Sequence, residues 1–379
     1  MRRRWVPVGL LAVVLLAFLT ACGGGGAVRQ QSWPGLTLAE DTLYVANVDR
    51  LQAFDPETGD LLWTYPAEGD AKIGFYSTPV LAEEDDLLLT QGFGDMRVYA
   101  FRLGGSPSDV PGLAWVFPQS QEQNGGAKGQ YVAHGTVAGS LYLIGNGDGT
   151  LYALNLADGE LAWSFQTGDR IWAAPLVIED TVYISSLDHT LYALSVVDGT
   201  ERWRLEMQGA IAMSPVAVDG KVFVGDFGDR IYQIDPETGK VLWTFEDGVD
   251  WFWATPTVGE AAIYFVDVQG NVFAFDRTSL DLLWQAQVKD VVRGQSVLSA
   301  DETLLYVPGY ERGLIYVLET ETGEKIPWGE LPATPGRIPS DLVADAERVY
   351  AMPILIEDRL QAFSADNGKL LWQYPPKAE

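Results

Sequence analysis

Cysteine and histidine are nearly missing from this chain. Its 379 residues hold one Cys and two His. A single thiol excludes an internal disulfide, so packing alone must hold the fold. With only His134 and His189 there is no Cys/His metal spacing, and no Ser-His-Asp arrangement can be assembled. Positive charge is scarce too: 25 Lys and Arg stand against 52 Asp and Glu, a net charge of −27. Such a surface repels phosphate backbones and argues against a nucleic-acid partner. No window sustains a 3.6-residue apolar period, which excludes helical solenoids. No Gly loop of the phosphate-cradling kind leads into a helix. Disorder is excluded as well, because 47% hydrophobic content with 12% aromatics can build a core.

The one Cys sits in a telling place. Arg2-Arg3-Arg4 is a basic start, Val6–Leu19 an apolar stretch, and Leu19-Thr20-Ala21 supplies small residues before Cys22. This reads as a signal peptide over 1–21 with Cys22 as the lipidated first residue of the mature chain. Leu-Thr-Ala-Cys resembles a bacterial lipobox, and a Sec route fits better than a twin-arginine one. Residues 22–29, with Gly23–Gly26, read as a flexible tether. Two or more acyl chains would anchor stably where one is marginal. Cleavage removes three Arg and no acid, leaving 22 basic against 52 acidic residues and a net charge of −30. The expected location is the bacterial cell envelope, facing outside the cytoplasm.

What the chain has in abundance is repetition. Asp55–Trp63 reads DPETGDLLW and Asp235–Trp243 reads DPETGKVLW. DPETG is turn chemistry: Pro presets φ, Asp bonds the backbone two residues on, and Gly supplies positive φ. Alternating strands flank it, which makes a β-hairpin ending in Trp. Looser copies place eight Trp at 63, 115, 163, 203, 243, 284, 328 and 372, spaced by 52, 48, 40, 40, 41, 44 and 44. Two further strands precede each hairpin, the first carrying Ser/Thr/Ala-Pro, as at Thr78-Pro79 and Ser214-Pro215. Four short strands per repeat, eight times over, predict an all-β protein: an eight-bladed β-propeller of four-stranded antiparallel blades. It should form one monomeric domain over 30–375. Repeat 1 holds its own inner strand (Arg29–Ala39) and repeat 8 its own outer strand (Lys369–Tyr374), so closure is expected without a strand swap.

The pattern Ala-[Leu/Phe]-Asp-x-x-Thr-Gly-x-x-x-Trp resembles the tryptophan-docking repeat of the PQQ-like propellers. That family includes quinoprotein alcohol dehydrogenases and BamB-type lipoproteins of outer-membrane β-barrel assembly. The resemblance implies that Trp63, Trp115, Trp163, Trp203, Trp243, Trp284, Trp328 and Trp372 dock between neighbouring blades as structural staples.

Candidate site residues come from the innermost strands. Three residues before the Ser/Thr-Pro proline the repeats read Tyr76, Tyr131, Trp172, Ala212, Trp253, Arg293 and Pro339; two further back they read Gly74, Gly129, Arg170, Ala210, Trp251, Val291 and Arg337. Inner strands ring the axis and alternate residues share a face, so these columns should line one mouth of the central channel. The candidates are Tyr76, Tyr131, Arg170, Trp172, Trp251, Trp253, Arg293 and Arg337. Arg with aromatics suits planar, anionic or peptide ligands. The alternative is a plug of bulky side chains filling a wide channel. His134 is read in the proline's place in repeat 3 and His189 as a turn residue. The acidic runs Glu83–Asp86 and Gly145–Gly149 lack the Asp-x-Asp-x-Asp-Gly calcium spacing.

Two functional readings follow from the resemblance. One is a non-catalytic, membrane-anchored scaffold for a protein partner, either the barrel-assembly machinery or another envelope protein. The other is a quinone-dependent oxidoreductase, with PQQ over the Trp and Arg of the mouth. The adjacent Cys pair which the resemblance implies beside PQQ is absent, as is an assignable acidic set for its calcium. No catalytic residue, metal or cofactor is therefore expected. A surface lipoprotein binding a peptide or polysaccharide remains a third reading.

Overall fold

The computed structural model describes residues 33–119, 127–332, 336–354 and 359–376. The expected signal segment, Cys22 and the tether lie outside them. Among the described residues, 32 strands form eight four-stranded antiparallel sheets, each in simple chain order. The blades span 35–65, 80–117, 136–166, 176–206, 216–245, 257–287, 297–332 and 343–374. A three-residue 3-10 turn, Glu83–Asp85, is the helical element. No helix of the described residues is long and apolar enough to cross a membrane.

Burial grades across each blade. The first strands circle the axis and contact one another. The second and third are buried almost throughout, as in Thr181–Ser185 and Thr190–Ser195. The fourth alternates exposed and half-buried residues, as in Glu201–Glu206, because its far edge faces water. In most blades Ala of the third strand faces the Trp of the fourth, as Ala53 opposite Trp63, Ala153 opposite Trp163 and Ala362 opposite Trp372; in blade 5 Gln233 takes its place. A bulge follows each of these pairs, increasing the local twist.

The repeated turn shows why DPETG is written twice. Asp55 Oδ1 accepts the backbone N–H of Glu57 at 2.8 Å and of Thr58 at 2.9 Å, and Gly59 N–H reaches Asp55 O at 2.9 Å. Gly59 sits at φ +75°, and a Cβ there would stand 2.5 Å from the Trp372 ring. Gly239 meets Trp203 in the same way, its would-be Cβ 2.7 Å from Cε3. The turn of one blade is thus the seat for the Trp of the blade before. Trp115, Trp163, Trp203, Trp284 and Trp372 each donate the indole N–H to a carbonyl of the next blade's turn, at 2.7, 2.9, 2.9, 2.8 and 3.0 Å. Blade 6 departs from the rule: Leu280 takes the glycine's place at φ +60°, and Trp243 packs edge-on against Phe275 at 5.4 Å.

Closure uses the same device. Trp372 and Tyr350 of blade 8 both donate to Pro56 O of blade 1, at 3.0 and 3.2 Å. An apolar cluster of Leu36, Leu43, Val45, Phe54, Tyr350, Met352, Leu360 and Ala362 seals that junction. Comparable clusters seal the other seven. No strand is exchanged between the terminal blades.

Candidate functional site at the channel mouth

A cavity of about 340 Å³ opens on the propeller axis, lined by residues from all eight blades. Strand register decides which side chains reach it. Thr37, Leu176 and Thr257 hold the same place in their first strands, each facing a Tyr of the second strand, Tyr44, Tyr183 and Tyr264. Four residues earlier stand Trp33, Trp172 and Trp253, and all three line the cavity. Tyr76 and Arg293 line it too, together with the small residues Ala212 and Pro339. Trp33 was missed in the sequence columns, which began at the second repeat. Its signal was available: it precedes Thr37 by the same four residues that separate Trp253 from Thr257.

Tyr131 requires a correction. It lies 1% exposed in the apolar cluster between blades 2 and 3, and Val132 takes the lining place. Backbone bonds expose the slip. The turn after each second strand donates to the inner chain: Leu187 N–H to Arg170 O, Val268 to Trp251 O, Ile354 to Arg337 O, and Gly147 to Gln130 O. Gln130, not Gly129, therefore matches Arg170. The proline's place in blade 3 falls on Gly135, so the alignment was one residue out and the whole column moved from the channel to the core. His134 sits one place before, lines the cavity, and has Nδ1 2.9 Å from Gly135 O. His189 is exposed in a turn at φ +70°.

The mouth has two unlike sides. On blades 4 to 6, Trp172 and Trp253 lean together across Ala212 with ring centroids 5.9 Å apart. Phe227 stacks at 18° on both Trp251 (4.8 Å) and Trp253 (5.7 Å). Arg170 caps this wall, 5.8 Å from the Trp172 ring. On blades 7 and 8, two guanidinium groups approach the Tyr310 ring, Arg293 at 4.2 Å and Arg337 at 5.1 Å from its centre. Arg337 Nη1 also donates to the Tyr310 hydroxyl at 3.3 Å. Arg293 is half-buried in the cavity, whereas Arg170 and Arg337 are exposed at its rim. Phe227 and Tyr310 were invisible in the inner-strand columns because they come from the turns between second and third strands.

Several other arginines are neutralised by carboxylates: Arg202 by Asp180 at 2.6 Å, Arg277 by Asp219 at 2.7 Å, Arg230 by Glu246 at 3.0 Å. Among the described residues Arg170, Arg293 and Arg337 form no ion pair. Asp341 is the acid lining the cavity, and its Oδ1 already accepts Gln295 N–H at 2.6 Å. Carboxylates do gather beneath the aromatic wall. Burial raises Asp229 above its ordinary range, and Asp250, Asp226 and Asp267 add to the rise. Asp226 is fully buried and accepts the N–H of Gly209, Gly228 and Arg230, which makes it a turn anchor. Among the described residues no group of three His, Cys, Asp or Glu could hold a metal ion.

The sequence model of one family, described as outer membrane protein assembly factor BamB, matches residues 112–217 and 199–326, more than half of the chain. The chain belongs to this family. BamB from Moraxella catarrhalis superposes with a TM-score of 0.67 at 17% identity, covering 84% of this chain and 93% of that one. The computationally designed Ika8 protein gives 0.71 at 14% identity over 89% and 97%. Sqt1 of Saccharomyces cerevisiae gives 0.67 at 14% identity over 89% and 93%. At such identities these BamB-like and unrelated propellers share the fold alone. No curated protein matches the chain in sequence.

Proposed function

We propose that this BamB-family propeller is a non-catalytic scaffold, lipid-anchored in the bacterial envelope, which holds a protein partner in outer-membrane protein assembly. The family match carries the reading. The lipobox-like Leu19-Thr20-Ala21-Cys22 supports the anchor. A ring whose core strands pack against one another presents its loops and channel mouth to partners, and no group of three His, Cys, Asp or Glu among its described residues could hold a metal ion. The same shortage weighs against PQQ, since the chain has no Cys pair and the described residues no cluster of carboxylates to hold its calcium.

The test uses the full-length chain expressed in its host. Wild type should fractionate with the membrane and co-purify with a barrel-assembly protein. Cys22→Ser should leave the precursor unprocessed or move the protein to the soluble fraction. Normal processing and detergent partitioning of that variant would end the anchor reading. A stoichiometric PQQ absorbance band in the purified protein would replace the scaffold with the enzyme.

A further inference from the structure

The channel mouth combines features that no packing role explains. Two guanidinium groups sit on one Tyr ring with no ion-paired carboxylate among the described residues, in a chain with 27 more acids than bases. What singles this pair out is that both guanidinium groups converge on one ring beside a cavity that Arg293 lines. A channel plug would need bulk alone. Here the stacked rings lie on blades 4 to 6, Trp33 and Tyr76 add bulk from blades 1 and 2, and a cavity of about 340 Å³ still remains.

We propose that the mouth binds a short acidic peptide segment, with one carboxylate held by Arg293 and Arg337 and a neighbouring aromatic side chain laid against Trp172 and Trp253. The chemistry of each side fixes its share of the ligand. Guanidinium groups donate in a planar fork that matches a carboxylate, and Tyr310 holds both forks in place by stacking. The indole wall offers ring faces to a ring, worth most where water is excluded. The acids beneath that wall, Asp229 and Asp250 among them, repel a carboxylate from blades 5 and 6 and so orient the ligand, its charge toward blades 7 and 8. A third cation, Arg170, stands on the far rim over Trp172. Cations on blades 4, 7 and 8, at two depths, suit a chain carrying several carboxylates better than one compact anion. The backbone groups of the rim turns are already bonded to the inner chain, so recognition runs through side chains and not through strand addition. This inference rests on the proposed function only in taking the ligand to be a protein segment. It needs neither the lipid nor an assembly role.

Fluorescence anisotropy of the purified protein with a labelled peptide alternating Glu and Phe tests it. Saturable binding is expected, about tenfold weaker for the same peptide with Gln in place of Glu. The double variant Arg293→Gln/Arg337→Gln should lose a similar factor while its melting temperature stays put, and Trp172→Leu should weaken the Glu/Phe peptide more than a Glu/Ala one. Equal affinity for the Glu and Gln peptides, or no saturable binding, overturns the proposal. So does an unaffected double variant. Should that variant melt lower, the peptide series on wild type decides alone. If the double variant loses the peptide yet still co-purifies with an envelope partner, the mouth stands as a site separate from the scaffold surface. Tight PQQ binding that displaces the peptide would reassign the mouth to a small quinone.

Discussion

At the outer rim Trp115 gives its indole N–H to Leu156 O and lies 6% exposed against the turn glycine of the next blade. At the mouth Trp172 is half-buried, leans on Trp253 and carries a guanidinium on its ring. The same residue type closes an interface in one region and presents a face in the other. Two arginines show the same contrast: Arg202 is paired with Asp180 on the outer surface, while Arg293 at the mouth rests on a Tyr ring. What separates the two regions is satisfaction: the indole N–H of Trp115 has a carbonyl partner within the fold, as have four other rim Trp, while the mouth presents rings and cations to the cavity.

The largest effect expected from breaking this contrast is on stability. Trp115→Ala empties a buried inter-blade seat and should cost about 3–5 kcal/mol. Trp172→Ala should cost less, because its ring is only partly buried and fills no inter-blade seat. Denaturant midpoints of the two variants decide the matter, and equal losses would make the mouth a second structural core.

A smaller effect tests the seat from the other side. Gly239→Ala places a Cβ at φ +69° and 2.7 Å from the Trp203 ring. The loss should be roughly 1–3 kcal/mol from left-handed strain and overpacking together. Thermal unfolding unchanged from wild type would show that the indole shifts aside freely, and the seat would then not be a fixed one.

The smallest effect is a slope against pH. Burial raises the Asp267 carboxyl above its ordinary range, bonds from Asn271 oppose the rise, and Asp250 adds to it. A folded pKa above the unfolded one means that the folded state takes up the proton first. This residue's cost at neutral pH is therefore relieved as pH falls through the folded value toward the ordinary carboxylate range. Asn fills the equivalent place in blade 3 at Asn146, which accepts Asp148 N–H. Asp267→Asn should hence be the more stable protein at neutral pH, with the gap to wild type closing on acidification. A gap constant with pH would mean that Asp267 does not titrate between the two states.

The eight blades could be read from the chain because turn chemistry, alternation and the Trp spacing recur in one register. The Asp–Gly turns and their glycines were legible for the same reason, and even the exception, Leu280, sits where the pattern breaks. The mouth was legible only in part. Arg170, Trp172, Trp251, Trp253, Arg293 and Arg337 were found by projecting two columns; Trp172, Trp253 and Arg293 line the cavity, while Arg170 lies over Trp172, Trp251 stacks on Phe227 and Arg337 on Tyr310. Tyr131 was misplaced because Gly135 stands where its neighbours have proline, and one residue of slip exchanges channel for core. Phe227 and Tyr310 reach the mouth from the next hairpin turn, and only the backbone bonds between turn and inner chain show that the two meet.

The junction between blades 8 and 1 has its own consequence. Because the Trp372 seat on Pro56 matches those of the continuous junctions, the ring has no privileged first blade. Covalent continuity contributes little that side-chain docking does not already supply, so the point at which the polypeptide is opened is arbitrary. A chain rewired to begin at blade 5, with a short linker joining 376 to 33, would specify the same ring. The order of genetic assembly and the order of spatial assembly are in this molecule two separate matters.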